Sequence, residues 1–168
     1  MVDTQYVGRY QVTGTMPVGR AIEAYRAVDP AGLPVTVKLL EPLDRERFFA
    51  QMRDLATVQH PHVARVLDWG LEGDRCYVVT EAVEGTDLAT LAAADPRLAP
   101  AVVAELGAQA AAALAALHGR GILHGGVTPL AMVRSSEGIL KLTDAGVATA
   151  AGLRSAESRT WACATTSR

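Results

Sequence analysis

The chain has 168 residues, enough for one domain or for one domain with a tail. Hydrophobic residues make up 49% and charged residues 20%, ordinary globular usage that argues against a wholly disordered protein. A net charge of −2 offers no electrostatic basis for binding nucleic acid. Two cysteines, Cys76 and Cys163, are too few for a disulfide framework or a zinc site and indicate a reducing compartment.

No targeting or membrane segment is predicted in this chain. The stretch from Met1 to Arg9 lacks the apolar core of a signal peptide. The most apolar stretch, 98–117, is rich in alanine and carries Glu105 and Gln109, whereas a spanning helix needs about 20 strongly apolar residues. We therefore expect a cytoplasmic location.

The first half has the alternating, β-branched composition of short strands. Five strands are predicted, at 9–14, 19–28, 33–40, 63–69 and 75–82. The first three form an antiparallel meander, with a turn at 29–32 where proline presets φ and glycine accepts a left-handed φ. The last two form a hairpin whose loop is expected at 70–74.

One helix is predicted between the third and fourth strands. Asp44 is its expected N-cap, because a carboxylate accepts hydrogen bonds from the first free amides of a helix. Its apolar stripe, at spacings of three and four, consists of Phe48, Met52, Leu55 and Val58. His60-Pro61 is expected to end the helix, since the residue before proline avoids helical angles. His60 and His62 have no third ligand in view, so a metal site there is not expected.

The second half is predicted to be helical. Thr86 or Asp87 caps a short helix that ends near Pro96, and a long helix runs over 100–118 until glycine stops it. The expected buried stripe of the long helix consists of Val103, Leu106, Ala110, Ala113, Leu114 and Leu117. Two short strands, 132–135 and 139–143, then bracket a turn. Residues 148–168 show no regular pattern and are expected to be disordered.

This order of elements, five strands with one inserted helix and then a helical half with a small hairpin, resembles the protein kinase fold. Matching motifs follow in order at 35–38, 55–63, 77–85, 117–124 and 141–146. The likeness covers about residues 8 to 150 and is to bacterial Ser/Thr kinases of the actinobacterial type. It implies an α+β fold with a five-stranded antiparallel N-lobe at 8–84, an incomplete helical C-lobe at 85–147 and a truncated, activation-segment-like tail at 148–168.

The resemblance also implies where ATP and Mg²⁺ would bind. Nucleotide contacts map to Gly19, Thr36, Lys38, Thr80, Glu81 and Val83, with Gln51 in place of the helix glutamate that pairs with the lysine. In this family a strand lysine holds phosphate oxygens beneath a glycine-rich loop, and an aspartate, here Asp144, holds the metal. Glutamine does not neutralise an ammonium. Because only Gly19 of the glycine-rich loop is retained, we expect weak binding of ATP and Mg²⁺ at most.

Two simpler interpretations stay open at these positions. Lys38 would then be an ordinary edge-strand lysine, and Asp144 a turn-forming or capping aspartate.

The catalytic loop departs furthest from the family. Gly126 stands where the catalytic aspartate orients and deprotonates the acceptor hydroxyl, and glycine has no side chain to act as a base. Thr128 replaces the catalytic-loop lysine, and Ala131 replaces the second metal ligand. Gly125 removes an arginine that pairs with a phosphorylated activation segment. His124 is expected to be structural and buried.

These departures favour a pseudokinase, a signalling module that binds a protein partner and transfers no phosphate. The alternatives are a divergent active Ser/Thr kinase and a remnant that folds poorly on its own. Thr160, Thr165 and Thr166 follow Asp144, so phosphorylation there by an active kinase would create a site for a phosphothreonine-reading partner. Such kinase domains often form the cytoplasmic part of membrane-anchored chains, which is a further expectation from the family.

Overall fold

The structure, a computed structural model, describes residues 6–16, 22–95 and 97–150. It divides into two compact units. The described residues up to Thr57, together with Arg65–Ala82 and Ala150, form the first unit. The second contains Val58–Ala64 and Val83–Thr149 without Pro96. The expected phosphorylation sites and most of the predicted tail lie outside the described residues.

The first unit is an antiparallel sheet with one helix. Its strands in chain order are β1 (Tyr6–Val7), β2 (Tyr10–Met16), β3 (Ile22–Val28), β4 (Pro34–Leu40), β5 (Val66–Glu72) and β6 (Arg75–Glu81). Their spatial order is β1-β2-β3-β4-β6-β5. The five predicted strands are confirmed as elements, and β1 is a sixth, because two residues are too short to produce a readable alternation.

The hairpin of β5 and β6 is longer and tighter than predicted. Pairing continues to Glu72 opposite Arg75, so the turn contains only Gly73 and Asp74. The strand also starts three residues later than predicted, because Val63 instead forms a bridge in the second unit. The predicted loop over 70–74 is therefore wrong for residues 70–72, which pair with β6, and right for the turn at 73–74.

Helix α1 (Arg45–Ala56) follows β4. Asp44 is its N-cap, as predicted, and accepts a hydrogen bond from the Arg47 amide at 3.0 Å. The predicted stripe is buried at its three helical positions, Phe48, Met52 and Leu55. The helix ends at Ala56, four residues before His60, so the prediction that His60-Pro61 ends it is wrong.

The sheet of the first unit curls until its two edges meet. The Tyr10 hydroxyl donates to Asp68 Oδ2 at 2.7 Å, and the Gly8 amide donates to Glu72 Oε2 at 2.8 Å. Both bonds join the start of the sheet to the far edge strand, β5. The core cluster inside this curl consists of Val7, Tyr10, Ala27, Val35, Val37, Leu39 and Val79.

The second unit combines helices with a small sheet. Its elements are β7 (Thr86–Asp87), α2 (Leu88–Ala94), α3 (Pro100–His118), a 3₁₀ turn (Pro129–Ala131), β8 (Met132–Arg134), β9 (Leu140–Leu142) and α4 (Val147–Ala150). The predicted hairpin is confirmed as β8 and β9, and β7 adds a third strand that the sequence did not predict. Asp87 caps α2 through the amide of Thr90 at 2.8 Å. Helix α4 begins at Val147, so residues 148–150 are helical rather than the start of a disordered tail.

The long helix α3 has the predicted bounds. It packs against β9 and buries Leu106, Ala110, Ala113 and Leu117, whereas Leu114 is half-buried. Val103 is 53% exposed, so the prediction that it belongs to the buried stripe is wrong.

By length and apolar composition alone, α3 would also be able to cross a membrane. The core helix of a soluble domain meets the same criteria, so this is weak support for a membrane segment. The prediction that residues 98–117 do not span a membrane stays a prediction.

Candidate functional site

Lys38 lies in the interior of the first unit's sheet. Strand β4 pairs with β3 on one side and with β6 on the other, and Lys38 stands between Ala24 and Val78 in the register. The residue is 6% exposed, and burial lowers the pKa of its ammonium to about 8. The edge-strand interpretation of Lys38 is therefore wrong, because β4 is an interior strand of the sheet and the Lys38 side chain is buried.

Three further predicted nucleotide contacts lie on β4 and β6. Thr36 pairs directly with Thr80 across β4 and β6, and Thr80 is buried. Glu81 is the last residue of β6, and its Oε1 accepts a hydrogen bond from the Arg65 amide at 3.1 Å. Thr36, Thr80 and Glu81 therefore lie on the same two paired strands as Lys38 and its partner Val78, within three register positions of that pair.

The remaining predicted nucleotide contacts are placed separately. Gln51 lies half-buried on α1 of the first unit. Val83 is half-buried and belongs to the second unit. Gly19 lies outside the described residues, so its predicted role stays a prediction.

The second unit contains the other predicted site, the His124 loop, which comprises residues 124–128. His124 is buried, with 2% exposed, as expected of a structural residue. Its Nδ1 accepts from the Gly126 amide at 3.3 Å, and its carbonyl accepts from the Gly146 amide at 2.9 Å. His124 therefore connects Gly126 with the segment that follows Asp144.

The rest of the loop uses its polar groups for structure. The Thr128 hydroxyl accepts from the Ala131 amide at 3.3 Å and so caps the 3₁₀ turn. Ala131 is 5% exposed and presents only a methyl group. Residues 124–131 contain no carboxylate, and Thr128 is neutral.

Asp144 has an unusual backbone. Its φ is 65°, and it is the one non-glycine residue in the described part of the chain with a positive φ. This left-handed conformation costs free energy for most residues, although aspartate tolerates it better than others. Strained backbone is common at functional sites. The carbonyl of Asp144 also accepts from the Val147 amide at 3.2 Å, so both a metal-binding and a turn-forming role fit the geometry.

Strand β9, which leads into Asp144, is held from two sides. The His62 Nδ1 donates to the Leu140 carbonyl at 2.8 Å, and the Leu142 amide donates to the His62 carbonyl at 2.9 Å. From α3, the Gln109 Oε1 accepts from the Leu140 amide at 2.7 Å, and its Nε2 donates to the Gly138 carbonyl at 3.3 Å. These contacts position the segment before Asp144.

Local sequence patterns predict neither of these supports, because both side chains bond to residues at least 29 positions away in the chain. A lone amide on an otherwise apolar helix was the available signal, since a buried polar side chain requires a partner. Within the described ranges, no group of three His, Cys, Asp or Glu side chains is arranged to hold a metal ion.

The residues fit ATP and Mg²⁺ only in part. Asp144 offers one carboxylate of the kind that Mg²⁺ prefers, but Ala131 offers no oxygen from its side chain at the second ligand position. Lys38 supplies one buried cation for a phosphate. Position 126 is a glycine and carries no side chain that could act as a general base.

Comparisons with known proteins agree with this fold. The family model described as "Protein kinase domain" matches residues 18–167. Serine/threonine-protein kinase PkaB of Streptomyces coelicolor is 35% identical over 154 residues, which are 83% of this chain and 37% of that protein. PknA of Mycobacterium tuberculosis is 32% identical over 155 residues, 85% of this chain and 36% of that protein. The chain therefore spans little more than a third of the length of these curated relatives.

Solved structures give the same result. The crystal structure of the Mycobacterium tuberculosis PknI kinase domain superposes with a TM-score of 0.75 and 25% identity, covering 89% of this chain and 64% of that one. The structure of Rad53 in complex with AMP-PNP has a TM-score of 0.76 at 21% identity, covering 83% and 38%, and it supports the fold alone. With the family model, the bacterial relatives and the α+β architecture in agreement, the chain belongs to the protein kinase family.

Proposed function

We propose that this chain is a kinase-fold binding module that transfers no phosphate. The single observation behind the proposal is Gly126, a bare backbone position where the family has its catalytic aspartate. General-base catalysis typically contributes about 10²- to 10⁴-fold to a rate. Residues 124–131 contain no aspartate or glutamate that could take its place.

The losses affect several independent roles. The Thr128 hydroxyl is engaged in capping the 3₁₀ turn, and Ala131 is a buried methyl group at the position of a metal ligand. Phosphoryl transfer depends mainly on positioning and charge neutralisation, so losing the base, a cation and a metal ligand together leaves little to restore.

Limited nucleotide binding is the second part of the proposal. Lys38 retains a buried cation on an interior strand, and Asp144 retains a carboxylate on a strained backbone. Both are consistent with weak binding of ATP with Mg²⁺, and both also support the alternative, a divergent active Ser/Thr kinase. The inactive module and the divergent kinase differ in whether the chain transfers the γ-phosphate of ATP.

A protein partner is the third part. Leu123, Val127 and Leu130, in and beside the His124 loop, are 64%, 44% and 46% exposed. Neighbouring exposed apolar residues are typical of interaction surfaces. A cytoplasmic location, as part of a longer signalling chain, agrees with the bacterial kinase relatives.

The decisive test is an assay of γ-phosphate transfer from ATP to the chain itself and to a generic acceptor protein. We expect the wild type to incorporate no more label than Lys38→Ala or Asp144→Ala. Incorporation above background that disappears in both variants would refute the inactive module and establish the divergent kinase.

Thermal unfolding with ATP, with and without Mg²⁺, tests nucleotide binding separately. A ligand that binds the folded state raises its stability by RT ln(1 + [L]/Kd). We expect a small shift in the unfolding temperature or none. A shift of several degrees that requires both Mg²⁺ and Asp144 would favour the divergent kinase.

A further inference from the structure

Arg134 places a positive charge partly inside the second unit, and no other described residue neutralises it. The residue is half-buried, its Nε is fully buried, and that nitrogen has no hydrogen-bond partner. In the described part of the chain, no ion pair or side-chain hydrogen bond involves the Arg134 guanidinium. A guanidinium is always charged and has five N–H donors, and buried donors normally find an acceptor. The described residues therefore leave this cation without an acceptor.

The backbone of Arg134 is fixed from both sides. It is the last residue of β8, the middle strand of the small sheet, and it pairs with Thr86 on β7 and with Leu140 on β9. The chain at Gly85 passes so close that a Cβ there would lie 2.3 Å from the Arg134 carbonyl oxygen. The side chain therefore projects from a well-held position, which reduces the ordering that binding a ligand would require.

The side chain of Arg134 lies on the face of the sheet that packs against α3. Directly paired residues project to the same face, and the partner Leu140 is 0% exposed on a strand that contacts α3. The Arg134 Nη2 lies 3.4 Å from where a Cβ on Gly138 would be. Gln109 of α3 donates to the carbonyl of the same glycine. The terminal nitrogens of Arg134 thus lie at the β8–β9 turn, and the glycine puts no side chain over them.

Two acidic residues near this turn do not satisfy Arg134. Glu105 precedes Gln109 by one turn of α3, and its Oε1 accepts from the Gln109 Nε2 at 3.4 Å. Glu137 belongs to the β8–β9 turn and is exposed. Neither carboxylate forms an ion pair with Arg134. Because both carboxylates lower the local positive potential, a ligand must gain from directed hydrogen bonds to the guanidinium more than from charge alone.

We propose that Arg134 binds an oxyanion, a carboxylate or phosphate group, at its terminal nitrogens beside Gly138. A guanidinium spreads one charge over three nitrogens and presents its terminal N–H groups as a planar fork that matches paired oxygens. An anion at that end offsets the cost of the charge that the buried Nε holds in the interior. The inference goes beyond the proposed function, because this site does not involve Lys38, Asp144 or the His124 loop.

NMR of the full chain tests the site directly. The Nε–H signal of Arg134 is identified by its loss in Arg134→Lys and is followed while sodium phosphate or sodium acetate replaces sodium chloride at constant ionic strength. We expect that signal to shift and to saturate at millimolar anion, because a single forked contact gives weak affinity. Saturation with phosphate alone assigns a phosphate ligand, and saturation with acetate as well assigns the broader class that includes carboxylates. No saturable shift up to about 50 mM of either anion would overturn the proposal.

Thermal unfolding of matched variants shows whether the anion acts through Arg134. Arg134→Met removes the cation at the site, and the control Arg97→Met removes the same charge from an exposed position elsewhere in the second unit. Phosphate also stabilises proteins in general, so the informative quantity is the difference between variants. For an affinity of a few millimolar, about 50 mM phosphate is expected to raise the unfolding temperature of the wild type and of Arg97→Met by about 3–6 °C more than that of Arg134→Met.

Equal gains in all three proteins would refute the site, because phosphate would then stabilise the chain without the guanidinium. If Arg134→Met does not fold, Arg134→Lys takes its place, since lysine keeps the charge but has no planar fork. From the dependence of the unfolding temperature on phosphate, the lysine variant is expected to bind about tenfold more weakly than the wild type. Equal affinity of the two proteins would overturn the forked contact.

Discussion

Replacing Lys38 with methionine removes a charge from the interior of the sheet and keeps an unbranched side chain. Lys38 is 6% exposed, and burial lowers the pKa of its ammonium from an ordinary 10.5 to about 8. At neutral pH the group is charged in both the folded and the unfolded chain. The folded state therefore bears the cost of burying a cation.

The pKa difference sets the size of that cost. One pKa unit corresponds to about 1.4 kcal/mol, so lowering the pKa from 10.5 to about 8 corresponds to about 3 kcal/mol. Between these two pH values the unfolded chain holds the proton that the folded chain has released, so the stability of the wild type rises with pH there. We expect the unfolding free energy of Lys38→Met, measured relative to the wild type, to fall by up to about 3 kcal/mol between pH 7 and pH 10.5.

Urea unfolding of both proteins, followed by circular dichroism between pH 7 and 10, measures this difference. Burial raises the pKa of the Cys76 thiol and of Tyr77, which lowers stability at high pH. Both groups are present in both proteins, so their effects cancel in the comparison. A difference in unfolding free energy that stays constant over this pH range would refute the reasoning.

Three further changes test other parts of the structure. Phe48→Ala empties a fully buried site on α1 and is expected to cost about 3–5 kcal/mol in urea unfolding, with a smaller loss for the half-buried Phe49→Ala; equal losses would contradict the assigned core. Gln109→Ala leaves the Leu140 amide without its acceptor, so it is expected to lower the unfolding free energy by about 1–3 kcal/mol and to speed hydrogen exchange of that amide. The control Gln109→Glu keeps an acceptor oxygen. Unchanged exchange in the alanine variant would rule out the contact. Asp144→Gly is expected to have an unfolding free energy about 1 kcal/mol higher than that of Asp144→Ala, because glycine adopts a φ of 65° without strain. The reverse order of stability would exclude the left-handed conformation.

The order of elements was readable from local patterns. The long helix has the predicted bounds because Pro100 favours a first helical turn and glycine follows its last residue. Asp44 was identifiable as a cap because its carboxylate acts within three residues. The glycine at position 126 and the alanine at position 131 were also readable, since the identity of a side chain does not depend on the fold.

Boundaries that depend on distant partners were not readable. Val63 continues an apolar run in the sequence, yet it leaves β5 and bridges to Leu142. Val103 fits the helical spacing of the buried stripe but is exposed. Local periodicity reports which residues share a face and says nothing about where the opposing surface ends.

The chain's own residues determined the kinase architecture and the absence of a side-chain base at position 126, because both follow from side-chain chemistry in a recognisable order. Tertiary structure alone decided that Lys38 is buried on a central strand, that Gln109 and His62 hold β9, and that Thr149 lies beside Gly125. Each of those contacts joins residues that are far apart in sequence or on different elements, and their pairing depends on how the strands and helices pack.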